Sequence, residues 1–453
     1  MYDNTCKYLA ENFPEDISSI IVPKILKVTL GSLILFSLTL LCFKGGYPLV
    51  KKQYEEQLLT MVTLKPSTTP IPNTLFSLHV LNLQYDAVWP TIPFGSWRSW
   101  DAAGTWAYLE KQKGKWDFQL LDRYVSLAQK SKAEVVLVLG LTPNWASARP
   151  DEISAYQKGN AAEPKQLENW RNYVREVATR YKGRVRYYEI WNEPNSKRFY
   201  SGSIQQLIAL SREAYHTIKT IDPSVKVISP AMSPCCNSFN YLDAYLKEGG
   251  GNYADVIGYH FYVAPDKPEA MLKSIGQAKA SMAKYGLANK PLWNTETGWR
   301  IQNRDVNPDD ELWAGAALSM DDASAYVARS YIISWAAGVD RVYWYAWGHR
   351  SMGFTDYNGK TPKPVVNAFN EVQTWLVGSV LTSCKSDEES TWICELRRGN
   401  DKVARIVWNA KKNTSLKIVP DWNVQRVKTV YGKSFKLPSS MIQINPSPLL
   451  LEN

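Results

Sequence analysis

Residues Tyr187–Asn195 read Tyr-Tyr-Glu-Ile-Trp-Asn-Glu-Pro-Asn, the pattern of a strand that ends on polar residues. The first five residues are mostly aromatic or β-branched, a composition that favours a strand, and Pro194 cannot continue a ladder because it has no N–H. The preceding residues, Gln166–Tyr181, place apolar side chains at the spacing of one helical face. A helix followed by a strand that ends on polar residues predicts one unit of an alternating α/β fold.

The same alternation extends in both directions along the chain. Eight strand–helix units spread over residues 75–376 predict a TIM barrel. A doubly wound sheet also fits the alternation, but it usually has a glycine-rich turn after its first strand, where this chain has Asn82-Leu83-Gln84-Tyr85. The predicted barrel strands are Leu75–Leu81, Gly95–Trp100, Glu134–Leu139, Val185–Trp191, Val225–Ser229, Val256–Tyr262, Pro291–Thr295 and Arg341–Trp347.

After the predicted barrel the pattern changes to short β runs without helices. Residues 377–453 are therefore predicted to form a small C-terminal all-β domain. Cys384 and Cys394 flank a polar turn between two of these runs, so they could face each other across a hairpin. The predicted strands are Trp392–Leu396, Val403–Trp408, Leu416–Val419, Val424–Val430 and Ser447–Glu452.

The N-terminal region contains an uncharged apolar run, Val28–Phe43, with lysines on both sides. It is close to the length of a membrane span, and Leu41-Cys42-Phe43 lacks the small residues of a cleavage site, so we predict a transmembrane signal anchor. Residues 1–27 are then a cytoplasmic segment and the Pro-containing residues 44–74 a stalk. The flanking lysines nearly balance, and we expect the catalytic domain outside the cytoplasm because a single N-terminal anchor usually serves to hold it there. The expected location is the inner or plasma membrane.

The composition of the 453 residues narrows the class of protein. Hydrophobic residues make up 45% and charged residues 21%, which excludes a disordered chain and a polytopic membrane protein. The net charge of +10 is spread thinly, without the basic stripe of a nucleic-acid-binding protein, so no nucleic-acid partner is expected. A solvated surface accounts for the charge, as would an anionic membrane surface or acidic polysaccharide. With four His and no CxxC or HExxH pattern, neither a zinc site nor a cofactor is expected.

Two predicted strand ends carry an acid in polar company. Glu193 follows the fourth strand, and Glu296 lies at the end of the seventh. In an eight-stranded barrel these two strand ends face each other across the mouth, where active sites form. A protonated and an ionised carboxyl group facing each other are what glycoside hydrolysis requires. Each acid alone has a plainer interpretation, as part of a turn or beside a helix N-cap, but the pair favours a catalytic site.

These motifs resemble those of barrel glycosidases with catalytic Glu on strands four and seven. Trp191–Asn195, Asn294–Trp299 and Gly258–Tyr262 are most similar to glycoside hydrolase family 39, especially bacterial members associated with exopolysaccharide production. The stretches Trp89–Asp101 and Tyr343–Trp347 support the same family. The resemblance covers roughly residues 75–450 and leaves the predicted anchor outside.

The resemblance implies a retaining mechanism with assigned roles. Glu193 matches the family's acid/base and Glu296 its nucleophile, while Asn192 matches the Asn that hydrogen-bonds the sugar 2-hydroxyl. His260 and Tyr262 match a pair near the nucleophile. None of the five departs from the family pattern, and a Tyr262 hydroxyl donated to Glu296 would keep that carboxylate ionised.

Further residues are weaker candidates. Glu189 points inward by strand alternation, and we interpret it as a structural carboxylate paired with a basic residue such as Arg98. Three Trp at strand ends could stack on sugar faces or simply cover the core. These are Trp145, Trp344 and Trp347, and His79 and Asn144 are further substrate-binding candidates.

The sequence therefore predicts a membrane-anchored retaining glycosidase that cleaves a β-linked polysaccharide or oligosaccharide. We expect endo cleavage and a role in exopolysaccharide processing, with assembly machinery for that polymer as a partner. One alternative is a transglycosylase, in which a sugar hydroxyl replaces water at the second step. The other is a polysaccharide-binding component of an export assembly that does not cut.

Overall fold

The computed structural model describes residues 68–102, 104–303, 315–399 and 402–453. The predicted cytoplasmic segment, the predicted anchor Val28–Phe43 and most of the predicted stalk lie outside the described residues. Within the described ranges, no helix has both the length and the apolar character needed to cross a membrane.

Eight parallel strands form the predicted barrel, in the order β5-β4-β3-β2-β1-β8-β7-β6. The two end strands meet through isolated bridges between Ile228 and Val256 and between Met232 and Tyr259. Each predicted barrel strand is present, so the TIM-barrel prediction is confirmed. The strands are β1 (Phe76–His79), β2 (Ser96–Arg98), β3 (Glu134–Leu139), β4 (Tyr187–Ile190), β5 (Lys226–Ile228), β6 (Ile257–His260), β7 (Leu292–Thr297) and β8 (Arg341–Trp344).

Amphipathic helices surround the barrel and cover its outer face. The stripe predicted between Gln166 and Tyr181 is buried against the sheet at Trp170, Val174 and Val177. Most helices connect successive strands, as the right-handed βαβ unit requires. They are α1 (Trp106–Leu109), α2 (Gln119–Lys130), α3 (Leu167–Arg180), α4 (Ile204–Ile221), α5 (Ser238–Lys247), α6 (Met271–Lys284), α7 (Met320–Ala336) and α8 (Val365–Leu376).

The barrel interior changes from apolar to charged along its axis. Near the N-terminal ends of the strands, Val136, Ile228 and Trp293 pack with Tyr343 in one buried cluster. Arg341 closes this end, with its guanidinium 4.2 Å from the Trp293 ring centroid. Since this end is filled by side chains, the opposite end is the one left for a site, as is usual in the fold.

The C-terminal domain is all-β, as predicted. A six-stranded antiparallel sheet has the order β14-β13-β16-β11-β10-β9, and β12 pairs with β15 separately. Cys384 and Cys394 are direct partners on β9 and β10 and form a disulfide. The strands are β9 (Val380–Ser386), β10 (Thr391–Arg397), β11 (Val403–Asn409), β12 (Thr414–Lys417), β13 (Arg426–Thr429), β14 (Ser434–Lys436), β15 (Met441–Ile444) and β16 (Leu449–Glu452).

Specific contacts join the two parts of the chain. Glu269, ahead of α6, accepts hydrogen bonds from Trp408 of β11 (3.0 Å) and from Arg329 of α7 (3.1 Å). The chain that leads into β1 is held at the same junction, because Ile71 exchanges two backbone hydrogen bonds of 2.9 Å with Gly378 and Ser379. The polypeptide therefore reaches the barrel at the end opposite the charged mouth.

Candidate active site

Asn192 and Glu193 follow β4 in an unusual backbone conformation. Trp191 and Glu193 have φ angles of 62° and 46°, in the left-handed region that side chains other than Gly rarely adopt. The turn is held by the Glu193 N–H, which donates to Ala231 O at 2.8 Å. Such strain persists where the surroundings impose it, and here it aims the Glu193 side chain into the mouth.

Glu296 reaches the mouth because β7 contains a register irregularity. Tyr259 pairs with Asn294, but the next residue of β6, His260, pairs with Glu296, and a similar shift occurs against β8. A β-bulge of this kind re-aims side chains at a barrel rim. It brings Glu296 to the mouth although Trp293, three residues earlier, packs in the barrel interior.

Arg98 on β2 links the groups beneath the mouth. Its Nε and Nη2 donate to the two Glu189 oxygens at 2.7 Å each, which confirms the predicted pair. Nη2 also donates to Asn192 Oδ1 at 2.8 Å, and Nη1 donates to Glu296 Oε2 at 2.9 Å. Because the Asn192 carbonyl oxygen is engaged, its Nδ2 group is oriented as the donor toward the mouth.

Two buried histidines lie beside the carboxyl groups. His260 Nδ1 lies 2.9 Å from Glu193 Oε1, and His79 Nε2 lies 3.1 Å from Thr295 O and 3.9 Å from Glu296 Oε2. Burial lowers the pKa of His260 to about 4 and holds the pKa of His79 well below its usual range. Both imidazoles are therefore neutral at pH 7, so they can orient a carboxyl group without adding a charge.

Glu296 is subject to opposing effects. Burial raises the pKa of Glu296 to about 7, while the permanent charge of Arg98 acts to lower it and Glu193 raises it further. Tyr262 donates to Glu296 Oε1 at 2.9 Å, as predicted. The hydrogen bond from Tyr262 favours the ionised form of Glu296, as expected, but burial of the carboxylate outweighs it. The ionised form of Glu296 therefore dominates only above about pH 7.

Glu193, His260 and Glu296 together offer three ligand atoms within 4.8 Å of one another, a geometry that can hold a cation. Arg98 already places a guanidinium 2.9 Å from Glu296 Oε2. This fixed positive charge opposes a second cation at the same carboxylate. The same spacing suits proton transfer and nucleophilic attack on a group placed between the two acids.

A second polar cluster beside the carboxyl groups was not predicted. Asp101, three residues after Arg98, accepts a hydrogen bond from Tyr345 at 2.7 Å and another from Tyr156. Burial raises the pKa of Asp101, while the two hydroxyl donors act to lower it. Strand alternation could have identified Tyr345, because it shares the inward parity of Tyr343 on β8.

Two of the predicted sugar-stacking residues are buried, and those predictions are wrong. Trp344 is fully buried, stacks on Trp299 with ring centroids 5.8 Å apart, and donates through Nε1 to Met352 O. Trp347 is 3% exposed and packs beneath the loop that contains Gly359. Trp344 has the outward parity of β8, and Trp347, three residues beyond the end of the strand, is buried by the loop over it, so neither ring presents a face to a sugar.

Asn144 and Trp145, on the loop after β3, are engaged within the protein. Asn144 Nδ2 donates to Pro150 O at 2.6 Å, and Trp145 Nε1 donates to Glu110 O at 2.8 Å. The Trp145 ring also packs edge-on against Trp106. No described contact joins either residue to the carboxyl pair. The structure thus gathers the other seven predicted site residues, namely Glu193, Glu296, Asn192, His260, Tyr262, Arg98 and His79.

Comparisons with known sequences match this chain to glycosidases. Residues 100–292 match the profile of the family described as "Glycosyl hydrolases family 39". A protein named β-xylosidase from Geobacillus stearothermophilus is 24% identical over 245 residues, 48% of this chain and 46% of the relative. Another β-xylosidase, from Caldicellulosiruptor saccharolyticus, is 30% identical over 179 residues, 34% of each chain. The matched segments therefore span less than half of these relatives.

Solved structures share the fold over a larger part of the chain. A family 39 glycoside hydrolase from Bacteroides cellulosilyticus WH2 superposes with a TM-score of 0.64 and 18% identity, covering 84% of this chain and 82% of the other. A monomeric β-xylosidase from Caulobacter crescentus CB15 gives a TM-score of 0.59 and 16% identity, covering 86% and 97%. At such identities the likeness establishes the architecture, barrel and β domain together.

Proposed function

We propose that this chain, which belongs to glycoside hydrolase family 39, hydrolyses β-glycosidic bonds with retention of anomeric configuration. The observation that carries the proposal is the pair of buried carboxyl groups, Glu193 and Glu296, with oxygens within 4.8 Å of each other at opposite strand ends. Retaining enzymes hold their two carboxyl groups about 5–5.5 Å apart, while inverting enzymes leave about 6.5–9.5 Å for a water.

In the first step the Glu296 carboxylate attacks the anomeric carbon of the sugar. The glycosidic C–O bond breaks, and Glu193 gives its proton to the leaving oxygen, so that a glycosyl ester on Glu296 and a free alcohol result. Tyr262 and Arg98 each donate to one oxygen of Glu296 and hold the carboxylate in place before the attack. Asn192 Nδ2 is placed to donate to the sugar 2-hydroxyl, a bond that strengthens in the transition state.

In the second step Glu193, now ionised, takes a proton from water. The hydroxide attacks the anomeric carbon, the ester bond to Glu296 breaks, and both acids return to their starting states. His260 lies against Glu193 and is neutral at pH 7. It therefore orients the Glu193 carboxyl group without placing a positive charge beside it during proton transfer. A sugar hydroxyl in place of water would give transglycosylation by the same residues.

The β configuration of the bond is supported by the relatives, two of which are named β-xylosidases. We further propose that the substrate is a long polymer cut internally, as in exopolysaccharide processing. The support is the extension of the mouth beyond the catalytic pair, into a cavity that the loops after β1, β2 and β3 form. An exo-acting pocket would instead be closed around one terminal sugar.

The proposed location also follows from the sequence. The uncharged run Val28–Phe43 would anchor the chain in the inner or plasma membrane, with the barrel outside the cytoplasm, where exported polysaccharide passes. We propose both the anchor and an interaction with polysaccharide assembly machinery on the basis of the sequence.

The deciding experiment identifies the anomer and the covalent intermediate. Purified full-length chain is given a panel of aryl β-glycosides, and proton NMR follows the anomer released first. Retention yields the β-anomer, and a 2-deoxy-2-fluoro glycoside leaves a sugar mass on the peptide that contains Glu296. Glu296→Gln should lose activity on every substrate with unchanged circular dichroism. Release of the α-anomer, or labelling of another residue, would overturn the mechanism.

A further inference from the structure

A cavity of about 240 Å³ opens beside the catalytic pair, in a part of the mouth that the two-step reaction does not use. Loops after three neighbouring strands form it, with Gln84 and Tyr85 after β1, a run that includes Thr105 and Tyr108 after β2, and Tyr156 after β3. Because it is built at the C-terminal ends of the strands, it lies on the same face as the catalytic groups.

The cavity adjoins the catalytic centre through Asp101. This residue lines the cavity and is hydrogen-bonded to Tyr345, which lies in one buried cluster with Tyr262, the donor to Glu296. The charge of Glu193 raises the pKa of Asp101, and the charge of Asp101 raises the pKa of Glu296, so the three carboxyl groups lie close enough to interact. A polymer bound across the catalytic pair can therefore continue into the cavity.

Thr105 supplies the observation that points to a ligand. Thr105 lines the cavity and is only 4% exposed, and its Oγ1 has no hydrogen-bond partner among the residues that the structure describes. It precedes helix α1 without capping it. A buried hydroxyl without a hydrogen bond destabilises the folded chain. A bound ligand that supplies the missing hydrogen bond would explain why Thr105 is found here.

The rest of the lining has the chemistry of a sugar site. Trp100 and Tyr156 form an aromatic base with ring centroids 5.8 Å apart, while Tyr85 and Tyr108 remain 66% and 37% exposed at the rim. Aromatic rings present flat apolar faces that suit the C–H faces of a pyranose, and polar groups around them bind its hydroxyls.

The charges at the rim indicate what kind of sugar fits. Lys111 and Asp117 both line the cavity and have opposite charges, so the rim has no net charge from this pair. The Asp101 carboxylate is already engaged by two tyrosine hydroxyls. An uncharged hexose or pentose ring suits this balance better than a uronic acid.

We propose that this cavity is a further sugar-binding subsite, which holds an uncharged sugar unit of the polymer next to the unit being cleaved, with Thr105 Oγ1 bonded to one of its hydroxyls. The identity of the ligand as a sugar rests on the proposed function. The subsite gives the enzyme a preference for oligosaccharides over single sugars.

The test uses the full chain carrying Glu296→Gln, so that binding is measured without cleavage. The probes are β-linked mono-, di- and trisaccharides of xylose, glucose, mannose and galactose, measured by calorimetry. We expect a trisaccharide to bind more tightly than its monosaccharide. Thr105→Val, which keeps the shape and removes the hydroxyl, should weaken trisaccharide binding about 2- to 10-fold. Tyr108→Ala should weaken it about tenfold.

The controls separate a binding role from a structural one. Thr105→Ser keeps the hydroxyl and should restore the affinity, while Thr220→Val on α4 and Phe435→Ala on β14 should leave it unchanged. Equal affinity for one and three sugars, no binding of any probe, or full affinity in Thr105→Val and Tyr108→Ala would overturn the subsite. Turnover of aryl β-glycosides by the unmodified chain tests the proposed function separately, because those substrates need a single sugar.

Discussion

Glu296 must be ionised to attack, yet burial raises its pKa to about 7. Arg98 and Tyr262 are the direct donors that act against burial, one on each carboxylate oxygen. At the scale of single residues, the operating pH is therefore set by how well these two donors offset the loss of water around one carboxyl group.

This balance predicts the pH dependence. A nucleophile with a raised pKa is protonated, and inactive, below that value, so kcat/KM should fall as the pH drops below about 7. Tyr262→Phe removes a donor to the ionised form and should move this limb to higher pH. The measurement is a pH profile of kcat/KM on an aryl β-glycoside. A limb near pH 4.5 in the unmodified chain would show that burial does not control Glu296.

Glu193 allows a second prediction at this scale. Glu193→Ala should slow cleavage of substrates with poor leaving groups by about 10²–10⁴-fold, because they need a proton, and should affect dinitrophenyl glycosides far less. Added azide, a nucleophile that needs no base, should restore part of the turnover and yield a β-glycosyl azide. Kinetics over a series of phenol leaving groups measures this. An equal loss across the series without azide rescue would contradict the acid/base role.

At the scale of elements, β2 and β4 are joined by the fully buried pair of Arg98 and Glu189. Glu189→Gln leaves the guanidinium without its bidentate partner, and we expect a loss of about 3–5 kcal/mol in the free energy of unfolding. The double change Arg98→Met with Glu189→Leu should recover much of that stability and still lack activity. Urea unfolding followed by tryptophan fluorescence measures the stability, with the surface change Glu389→Gln as the control.

An unchanged unfolding midpoint in Glu189→Gln would mean that water or another acid compensates the guanidinium. Full activity in the double variant would mean that Arg98 neither orients Asn192 nor holds Glu296. Either result would mean that a group other than Arg98 positions the residues of the active site.

The sequence predicts the positions of strands and helices better than it predicts which side chains face the active site. Strand and helix periodicities identified all eight barrel strands, and simple alternation placed Glu189 opposite Arg98. The run Tyr343–Trp347 is aromatic at every position except Ala346, so composition carries no information about which rings face inward. The sequence therefore predicts Trp344 as a site residue, whereas Tyr345 is the residue that faces the site. The bulge in β7 has no sequence signature either: the strand-end position predicted Glu296 as a site residue, and the resemblance supplied its role as nucleophile.

At the scale of the whole molecule, the proposed anchor predicts how the protein behaves in cells. Extraction of the full chain should require detergent, and a chain that begins at Thr68 should be soluble and active. Protease added to intact spheroplasts should digest the barrel if it lies outside the cytoplasm. Full protection of the barrel, with an outer-leaflet control protein digested, would reverse the orientation.

The position at which the chain enters the barrel has a consequence for this arrangement. Ile71 is held beside Gly378 and Ser379, at the end of the barrel where β1 begins, and the catalytic acids lie at the other end. The six residues of β7 correspond to roughly 20 Å of strand between the two ends. If the proposed anchor holds the barrel outside the cytoplasm, a barrel entered from this end would turn its mouth away from the membrane and toward exported polymer.

This orientation can be reproduced on a solid support. Coupling the chain to beads through a tag ahead of Thr68 should leave the cutting of long polysaccharides intact. Coupling through Ile153→Cys, in a chain that begins at Thr68 and has Cys235 and Cys236 changed to Ser, should block polymers while small aryl glycosides still enter. Ile153 lies on the mouth-side loop after β3 and is 81% exposed. On each support, the ratio of polysaccharide cleavage to aryl glycoside cleavage then shows which way the cleft faces. Enzymes anchored in this way would cut polysaccharide chains at a fixed distance from the membrane.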